Sequence, residues 1–281
     1  MTDHNRQRKI AVISDLCGFG RSSLSAAIPV ISALHLQCCP VPTAVFSNHT
    51  GFEVFSKEDT TAQMKRTISD WQKTGLRFSG IATGFLGSQE QIDVVRTFLE
   101  TFRTEDNTIL VDPVMGDYGR LYPGYSEQLA ARLGELLPYA DILTPNLTEA
   151  CFLTGRAYRS DYSGEELFDM CAELSDRGPA KVVISGLEDG GQITNYIYER
   201  GKQPRTVRRD KIRESRSGTG DIFAAIIIAQ TVRGIPFAQC VEDASEFIRR
   251  TLITTAEMGL PVTDGLAVEE HLSDLEKLVH E

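Results

Sequence analysis

A short segment in the C-terminal third of the chain combines glycines, a hydroxyl and an acid in a spacing that suits phosphate chemistry. The segment is Ser217-Gly218-Thr219-Gly220-Asp221, and an apolar stretch that starts a helix follows it. Glycines on both sides of a small hydroxyl residue allow a tight turn with exposed backbone N–H groups, and a helix N-terminus adds partial positive charge. Asp221 could accept a proton from a substrate hydroxyl while a phosphoryl group is transferred. The alternative is that Asp221 only caps the helix.

A second segment, residues 111–117, places the carboxylates of Asp112 and Asp117 directly after a predicted strand. Carboxylates at a strand end suit Mg²⁺, which takes oxygen ligands and keeps some of its waters while it bridges phosphates. The alternative is an ordinary turn, since Asp, Pro and Gly all favour turns. The segment is therefore a candidate metal site.

A third segment, residues 144–149, carries Thr144, Asn146 and Glu149 after the next predicted strand. Asn146 and Glu149 are three residues apart, so they share a face if a helix begins here. In that arrangement Asn146 can donate to a phosphate and Glu149 can hold a metal-bound water. The alternative is a capping box, in which Asn146 and Glu149 only close the first turn of the helix.

Two glycine-rich or polar segments in the N-terminal part of the chain indicate different ligands. Residues 46–52 place four hydrogen-bonding side chains, including His49 and Thr50, between aromatic residues, a mixture that suits a small polar aromatic ligand or a plain surface loop. Residues 18–23 half-match the dinucleotide fingerprint GxGxxG, but Ser23 stands at the third glycine and no acid follows at the required spacing. A dehydrogenase is therefore disfavoured.

Apolar runs that alternate with helical patterns must position these segments. Strands are predicted over 9–14, 41–46, 80–85, 108–111, 140–144 and 181–185, and a hairpin arm over 192–198. Helices are predicted over 22–36, 60–74, 89–102, 126–137, 165–177, 221–233, 237–257 and 268–279. This order predicts an α/β fold in which helices cover both faces of a mostly parallel sheet, and no composition break divides residues 1–281 into two domains. Ligands of such sheets bind beyond the carboxyl ends of the strands, which is where the polar segments are expected.

Composition and charge exclude several classes of function. The net charge of −10 argues against a general nucleic-acid binder, which needs a basic face. The apolar runs are too short for a membrane span or a signal-peptide core. The six cysteines contain no CxxC pair, and with no export signal they are predicted to be reduced structural thiols. Charge, short apolar runs and reduced thiols together predict a cytoplasmic protein that binds neither nucleic acid nor membrane.

Taken together, these segments resemble the pyridoxal/pyridoxamine kinase branch of the ribokinase-like superfamily. The resemblance covers about residues 9–257 and keeps the order of the motifs. Residues 46–52 are similar to the vitamin-binding loop of pyridoxal kinases, and residues 84–88 match a second such segment, whereas the other motifs are shared with further ribokinase-like kinases. The resemblance implies a three-layer ribokinase-like fold with a short flap, residues 117–125, over the ATP site.

The implied reaction is transfer of the γ-phosphoryl group of ATP to the 5′-hydroxymethyl group of pyridoxal, pyridoxamine or pyridoxine. Asp221 would be the base, and the backbone N–H groups of Gly218, Thr219 and Gly220 would form the anion hole. The vitamin would contact Ser14, His49, Thr50 and Phe85. ATP would contact Asp112, Asp117, Thr144, Asn146, Glu149, Ser185 and Thr219. The resemblance also implies Mg²⁺ on Asp112 and Glu149 and a homodimer, and it leaves a monovalent cation such as K⁺ open.

Several features depart from the family pattern. Phe85 stands where a tyrosine is frequent, and Asp15 stands where histidine is frequent. A carboxylate at position 15 would favour the cationic amine of pyridoxamine, or it would only cap a loop. Polar residues 213–217 replace an apolar stretch, and residues 200–216 hold eight Lys and Arg against two acids, which is either a basic rim that attracts ATP or a solvated hairpin. The alternatives are a hydroxymethylpyrimidine kinase and a catalytically silent vitamin-binding protein.

Overall fold

The computed structural model describes residues 3–212 and 216–280. The strands of these residues are β1 (Lys9–Phe19), β2 (Gln37–Asn48), β3 (Lys57–Asp59), β4 (Gly80–Thr83), β5 (Thr108–Val111), β6 (Gly116–Asp117), β7 (Arg120–Leu121), β8 (Ile142–Leu143), β9 (Lys181–Asp189), β10 (Gln192–Glu199) and β11 (Arg205–Asp210). The α-helices are α1 (Ser23–Ala33), α2 (Thr61–Thr74), α3 (Gln89–Phe102), α4 (Glu127–Leu133), α5 (Leu147–Thr154), α6 (Gly164–Asp176), α7 (Thr219–Val232), α8 (Phe237–Glu257) and α9 (Leu272–His280).

A nine-stranded sheet forms the middle layer, in the order β11-β10-β9-β8-β5-β4-β1-β2-β3. The pairs from β9 across to β2 are parallel, whereas β3, β10 and β11 join antiparallel at the two sides. The predicted mostly parallel α/β sheet is confirmed. Because the carboxyl ends of parallel strands lie at one edge, the loops that follow β1, β4, β5 and β8 meet there.

Helices cover both faces of the sheet, and the side chains of β1 show how one strand serves two cores. Ala11 and Ile13 belong to the core under α2 to α6, while Ile10 and Val12 belong to the core under α1 and α7 to α9. Successive side chains of a strand point to opposite faces, so a strand buried on both faces is a continuous apolar run. This explains why the apolar segment that begins β1 could be recognised from the sequence.

The strands differ from the predicted ones mainly in length. β1 and β2 continue well beyond the predicted segments and stay paired as far as Phe19 and Asn48. Gly18 therefore lies in a strand, and the half-matched dinucleotide fingerprint is not a phosphate-binding turn. Helix α4 is shorter than predicted because a 3-10 segment with Pro138 inside it takes over at Gly134–Tyr139. Strands β3, β6, β7 and β11 were not predicted; β11 contains a single buried apolar residue, Val207.

In the described ranges, no helix combines the length and the apolar character needed to cross a membrane. All six cysteines are free thiols, and five of them are buried. Their burial agrees with the prediction of structural thiols.

Candidate active site

The carboxyl edge of the sheet brings the predicted site residues of distant segments together. A narrow cavity at this edge is lined mostly by apolar side chains of β1, β4, α1 and α7, and its other lining residues are Ser14, Ser23, Thr83, Gly84, Asp112 and Asp221. Asp221 thus meets residues that are more than a hundred positions away in the sequence. The cavity therefore contains two carboxylates. Asp221 could accept a proton, and Asp112 could bind a cation.

The glycine turn before α7 is built as the sequence suggests. Gly218 is the N-cap of α7 and has a left-handed φ of 89°. A Cβ atom at this position would lie 2.0 Å from the carbonyl oxygen of Arg21, so only glycine fits. Because α7 begins at Thr219, its first N–H groups have no partner within the helix and can bind an anion. The interpretation of Asp221 as the helix cap is wrong, since Gly218 occupies that position.

The pKa of Asp221 is matched to proton transfer near neutral pH. Removal from bulk water raises the pKa of this carboxyl to about 6, and the charge of Asp15 acts in the same direction, while the backbone of Ser23 opposes the shift. At pH 7 the group is largely ionised yet binds a proton more readily than an exposed aspartate. These are the properties of a general base.

Asp112 lies 7% exposed between two other acids. Burial, followed by the charges of Glu149 and Asp221, raises its pKa well above the ordinary value, and the nearby Thr144 hydroxyl acts in the opposite direction. A divalent cation would relieve this repulsion, and the donors are all oxygens, as Mg²⁺ prefers. In the described part of the chain no three His, Cys, Asp or Glu side chains are close enough to form a metal cage. The oxygen donors of Asp112 and Glu149 suit Mg²⁺, an ion that usually keeps several of its waters.

Asn146 and Glu149 form the capping box of α5. The side chain of Asn146 accepts from the N–H of Glu149 at 3.0 Å, and the carboxylate of Glu149 accepts from the N–H of Asn146 at 2.9 Å. The same two side chains hold the loop after β5, because Asn146 Nδ2 donates to the Gly116 oxygen at 2.8 Å and Glu149 accepts from Met115 N at 3.1 Å. The capping interpretation is confirmed. One amide hydrogen of Asn146 and further lone pairs of Glu149 remain for a ligand.

The predicted flap contains the two-stranded ribbon of β6 and β7. At its tip Tyr118 has a left-handed φ of 48°, and its hydroxyl donates to Glu188 at 3.1 Å. Glu188 also forms an ion pair with Lys211 at 2.5 Å, and Gly119 N donates to Thr148 Oγ1 at 2.8 Å. Asp117 lies exposed directly before this tip, opposite Arg120. The ribbon is thus tied to β9 and to α5, next to the capping box.

Aromatic residues form a wall beside Ser14, which also lines the cavity. Phe85 is half-buried, and its ring meets Phe46 and Tyr125 edge to face, with centroids 5.8 and 5.7 Å apart. Lys57 Nζ lies 5.5 Å from the same ring. The backbone N–H of Phe85 donates to Ser14 Oγ at 3.2 Å, which fixes the wall to β1. An aromatic ring with polar substituents fits beside these groups.

His49 does not offer a free ring nitrogen to this wall. Its Nδ1 accepts from Gly51 N at 3.1 Å, so Nε2 carries the proton and donates to the Thr263 carbonyl oxygen at 2.7 Å. Phe52 packs edge to face on the imidazole at 4.7 Å. A Cβ atom on Gly20 would lie 2.5 Å from the imidazole ring. His49 therefore ties residues 46–52 to the C-terminal segment, and a substrate contact through the ring would have to break one of these bonds.

A His49→Ala variant should lower the free energy of unfolding by about 2–3 kcal/mol, because it removes two hydrogen bonds and the packing of an imidazole that is 8% exposed. We expect the KM for the phosphate acceptor to rise more than the KM for ATP, since residues 46–52 lose their anchor. Urea denaturation and steady-state kinetics measure the two effects. The exposed His4 provides the control variant His4→Ala. If the two variants are equally stable, the hydrogen bonds of His49 with Gly51 and Thr263 do not stabilise the fold.

The remaining predicted residues lie around the same edge. Ser185 of β9 bridges to Asn146, and its N–H donates to the Pro145 oxygen at 2.9 Å, while Thr50 is half-buried beside His49. In the basic stretch Arg209, Lys202 and Lys211 form ion pairs with glutamates. This pairing favours the solvated-hairpin interpretation for them. Residues 213–215, which belong both to the basic stretch and to the polar segment before the glycine turn, lie outside the described residues.

Sequence reasoning missed the C-terminal segment that closes the site. The guanidinium of Arg216, 4% exposed, donates to the carbonyls of Leu260 and Pro261. Arg21 binds the Asp264 carbonyl through its backbone and its side chain. Together with His49, these residues hold residues 260–265 against the glycine turn. Nothing in the local sequence signals these contacts, because they join residues more than 40 positions apart and their acceptors are backbone atoms.

Comparison with known proteins agrees with this geometry. A family model described as "Phosphomethylpyrimidine kinase" matches residues 20–264. A pyridoxal kinase of Arabidopsis thaliana is 32% identical over 214 residues, which are 73% of this chain and 67% of the relative. A Bacteroides thetaiotaomicron protein assigned as a phosphomethylpyrimidine kinase, crystallised with pyridoxal, is 36% identical with a TM-score of 0.93 over 96% of both chains. Pyridoxal kinase from Lactobacillus plantarum is 26% identical with a TM-score of 0.90, over 96% of this chain and 97% of that one.

Proposed function

Because this chain belongs to the phosphomethylpyrimidine kinase family, we propose that it transfers the γ-phosphoryl group of ATP to the 5′-hydroxymethyl group of pyridoxal, pyridoxamine or pyridoxine. It is a kinase with the fold of the ribokinase-like pyridoxal kinases. The observation that carries the choice of acceptor is that Asp221, in the first turn of α7, shares a cavity with Ser14, whose hydroxyl accepts from the backbone N–H of the aromatic Phe85. The name of the Arabidopsis relative and the pyridoxal in the Bacteroides crystal support the same acceptor.

In the proposed reaction the carboxylate of Asp221 takes the proton of the acceptor hydroxyl. The hydroxyl oxygen forms a bond to the γ-phosphorus while the bond from that phosphorus to the bridging oxygen breaks, and ADP leaves. The N–H groups of Gly218, Thr219 and Gly220 stabilise the charge on the transferring group. Asp112 and Glu149 would hold Mg²⁺, which would neutralise charge on the phosphates.

The other residues divide by their place along the sheet edge. Asp117, Thr144, Asn146 and Ser185 lie around β5, β8 and β9, and we assign them with Thr219 to ATP. Ser14, Thr50 and Phe85 lie around β1, β2 and β4, and we assign them to the vitamin, with His49 as the residue that positions their loop. A single domain, a homodimer, a cytoplasmic location and a K⁺ site remain predictions.

A hydroxymethylpyrimidine kinase is the second candidate, because the matching family carries the name of that activity. Its substrate is also a heteroaromatic ring with a hydroxymethyl group, so the aromatic wall fits both acceptors. A silent vitamin-binding protein is disfavoured, since Asp221 and the glycine turn are both in place.

The proposal is tested by following ADP release with the three B6 vitamers, hydroxymethylpyrimidine and ribose as acceptors, in the presence of Mg²⁺ and ATP. We expect phosphorylation of the B6 vitamers and none of ribose. The Asp221→Ala protein controls for contaminating kinases. Turnover of the pyrimidine alone would overturn the proposal in favour of the second candidate.

A further inference from the structure

Asp15 is a buried carboxylate without a basic partner. Its side chain is 5% exposed and lies on β1 next to Ser14. One carboxylate oxygen accepts from the thiol of Cys17 at 3.2 Å, and the other lies 3.5 Å from the hydroxyl of Ser14. No Lys, Arg or His within residues 3–212 and 216–280 forms an ion pair with it. A thiol and a distant hydroxyl stabilise a buried carboxylate poorly. A positively charged group of a ligand would therefore be bound favourably beside Asp15.

The sheet order places Asp15 on the acceptor side of Asp221. Asp112 follows β5 and Glu149 lies in α5 after β8, whereas Asp15 belongs to β1, which β4 separates from β5 in the sheet. The charge of Asp15 acts on Asp221, while the charges of Glu149 and Asp221 act on Asp112. Ser14, the neighbour of Asp15, shares the cavity with Asp221 and Asp112, so Asp15 lies on the β1 side of this site and Asp112 on the β5 side.

Asp15 also lies beside the aromatic wall. Its neighbour Ser14 accepts from the N–H of Phe85, and its hydrogen-bond donor Cys17 packs in one cluster with Phe46 and Phe85. The charge of Asp15 contributes to raising the pKa of Tyr125, the residue whose ring touches Phe85. A substrate ring on this wall, with its hydroxymethyl group at Asp221, would direct a neighbouring substituent towards Asp15.

The B6 vitamers differ in the ring substituent next to the reacting hydroxymethyl group. Pyridoxamine carries an aminomethyl group there, which is a cation near neutral pH, like other primary aliphatic amines. Pyridoxine carries a hydroxymethyl group, which can donate one hydrogen bond. Pyridoxal carries an aldehyde, whose oxygen only accepts and would face a carboxylate lone pair.

We propose that Asp15 is a specificity-determining residue that binds the ammonium group of pyridoxamine, so that this kinase prefers pyridoxamine to pyridoxal. This assignment rests on the proposed function, because it concerns the same acceptor site. A charge-assisted hydrogen bond discriminates by about tenfold to a hundredfold. The preference is therefore measured as the ratio of kcat/KM for pyridoxamine to kcat/KM for pyridoxal, and not as the rate with either vitamer alone.

The test compares kcat/KM for pyridoxamine, pyridoxine and pyridoxal in the unmodified protein and in Asp15→Asn. We expect the unmodified protein to favour pyridoxamine over pyridoxal by about tenfold or more, and Asp15→Asn to abolish that ratio while it still turns over pyridoxal. Retained turnover of pyridoxal shows that the variant is folded. Asp106→Asn, at an exposed aspartate after α3, is the matched control and should keep the original ratio.

The outcomes separate the two levels of the proposal. If the unmodified protein phosphorylates all three vitamers without a preference for pyridoxamine, the role of Asp15 is overturned whatever the variant does. If the preference exists but survives in Asp15→Asn, another residue causes it and the role is again overturned. If the unmodified protein phosphorylates none of the three, the proposed function itself fails.

Discussion

Replacing Asp221 by Asn is expected to lower kcat by about 10²–10⁴-fold, because the variant cannot take the proton of the acceptor hydroxyl. Asn has nearly the same shape and keeps α7 intact, so the KM for ATP should change little. Steady-state kinetics with saturating ATP and the preferred vitamer measure the effect. The exposed Asp106 again provides a matched Asp→Asn control.

The pH dependence of the unmodified enzyme provides an independent check of this role. Asp221 acts as a base only when it is ionised, and burial raises its pKa to about 6. The rate should therefore fall as the pH decreases through about 6 and should level off above it. An ordinary exposed aspartate would place this limb about two units lower. A limb near pH 4, or a variant with more than a tenth of the original kcat, would show that another group takes the proton.

The sequence predicted the central strands well because each of them is buried on both faces. Apolar runs such as that of β5 have no helical period and end at turn residues, so their type and place are visible locally. Strand β11 has no such pattern, since Val207 is its only buried side chain. Its extended conformation comes from the antiparallel pairing with β10. The outer strands are set by tertiary contacts, which a single segment does not encode.

Site residues could be predicted where the local backbone conformation requires a particular residue type. They were harder to predict where one side chain has both a structural and a functional role. Gly218 and Asp221 follow from the chemistry of a helix N-terminus, and the cavity joins Asp221 to Ser14 and Asp112 as expected. Asn146 and Glu149 allowed two interpretations from sequence, and the structure shows that their capping role leaves hydrogen-bonding capacity for a ligand. The role of His49 depends on Thr263, more than two hundred residues away, and no local pattern predicts such a contact.

Gly218→Ala is expected to destabilise the protein by about 2–4 kcal/mol and to lower kcat/KM at least about a hundredfold. The first loss has two sources, the left-handed φ of 89° and a Cβ atom 2.0 Å from the carbonyl oxygen of Arg21. The loss of activity follows because the turn must move away from Arg21, and its N–H groups then miss the transferring phosphoryl group. Urea denaturation and steady-state kinetics measure the two losses.

Two other glycines separate the causes. Gly75 ends α2 with a left-handed φ of 69°, and a Cβ atom added there would meet open space, so Gly75→Ala carries the conformational cost alone, about 1 kcal/mol. Gly220 lies in the first turn of α7, also with open space and without a left-handed φ, so Gly220→Ala should keep or raise stability. If Gly218→Ala is no less stable than Gly75→Ala, the packing of the turn on Arg21 does not matter. A stable Gly218→Ala protein with full activity would mean that the N–H groups of this turn do not act on the phosphoryl group, because a displaced turn cannot place them as the proposed reaction requires.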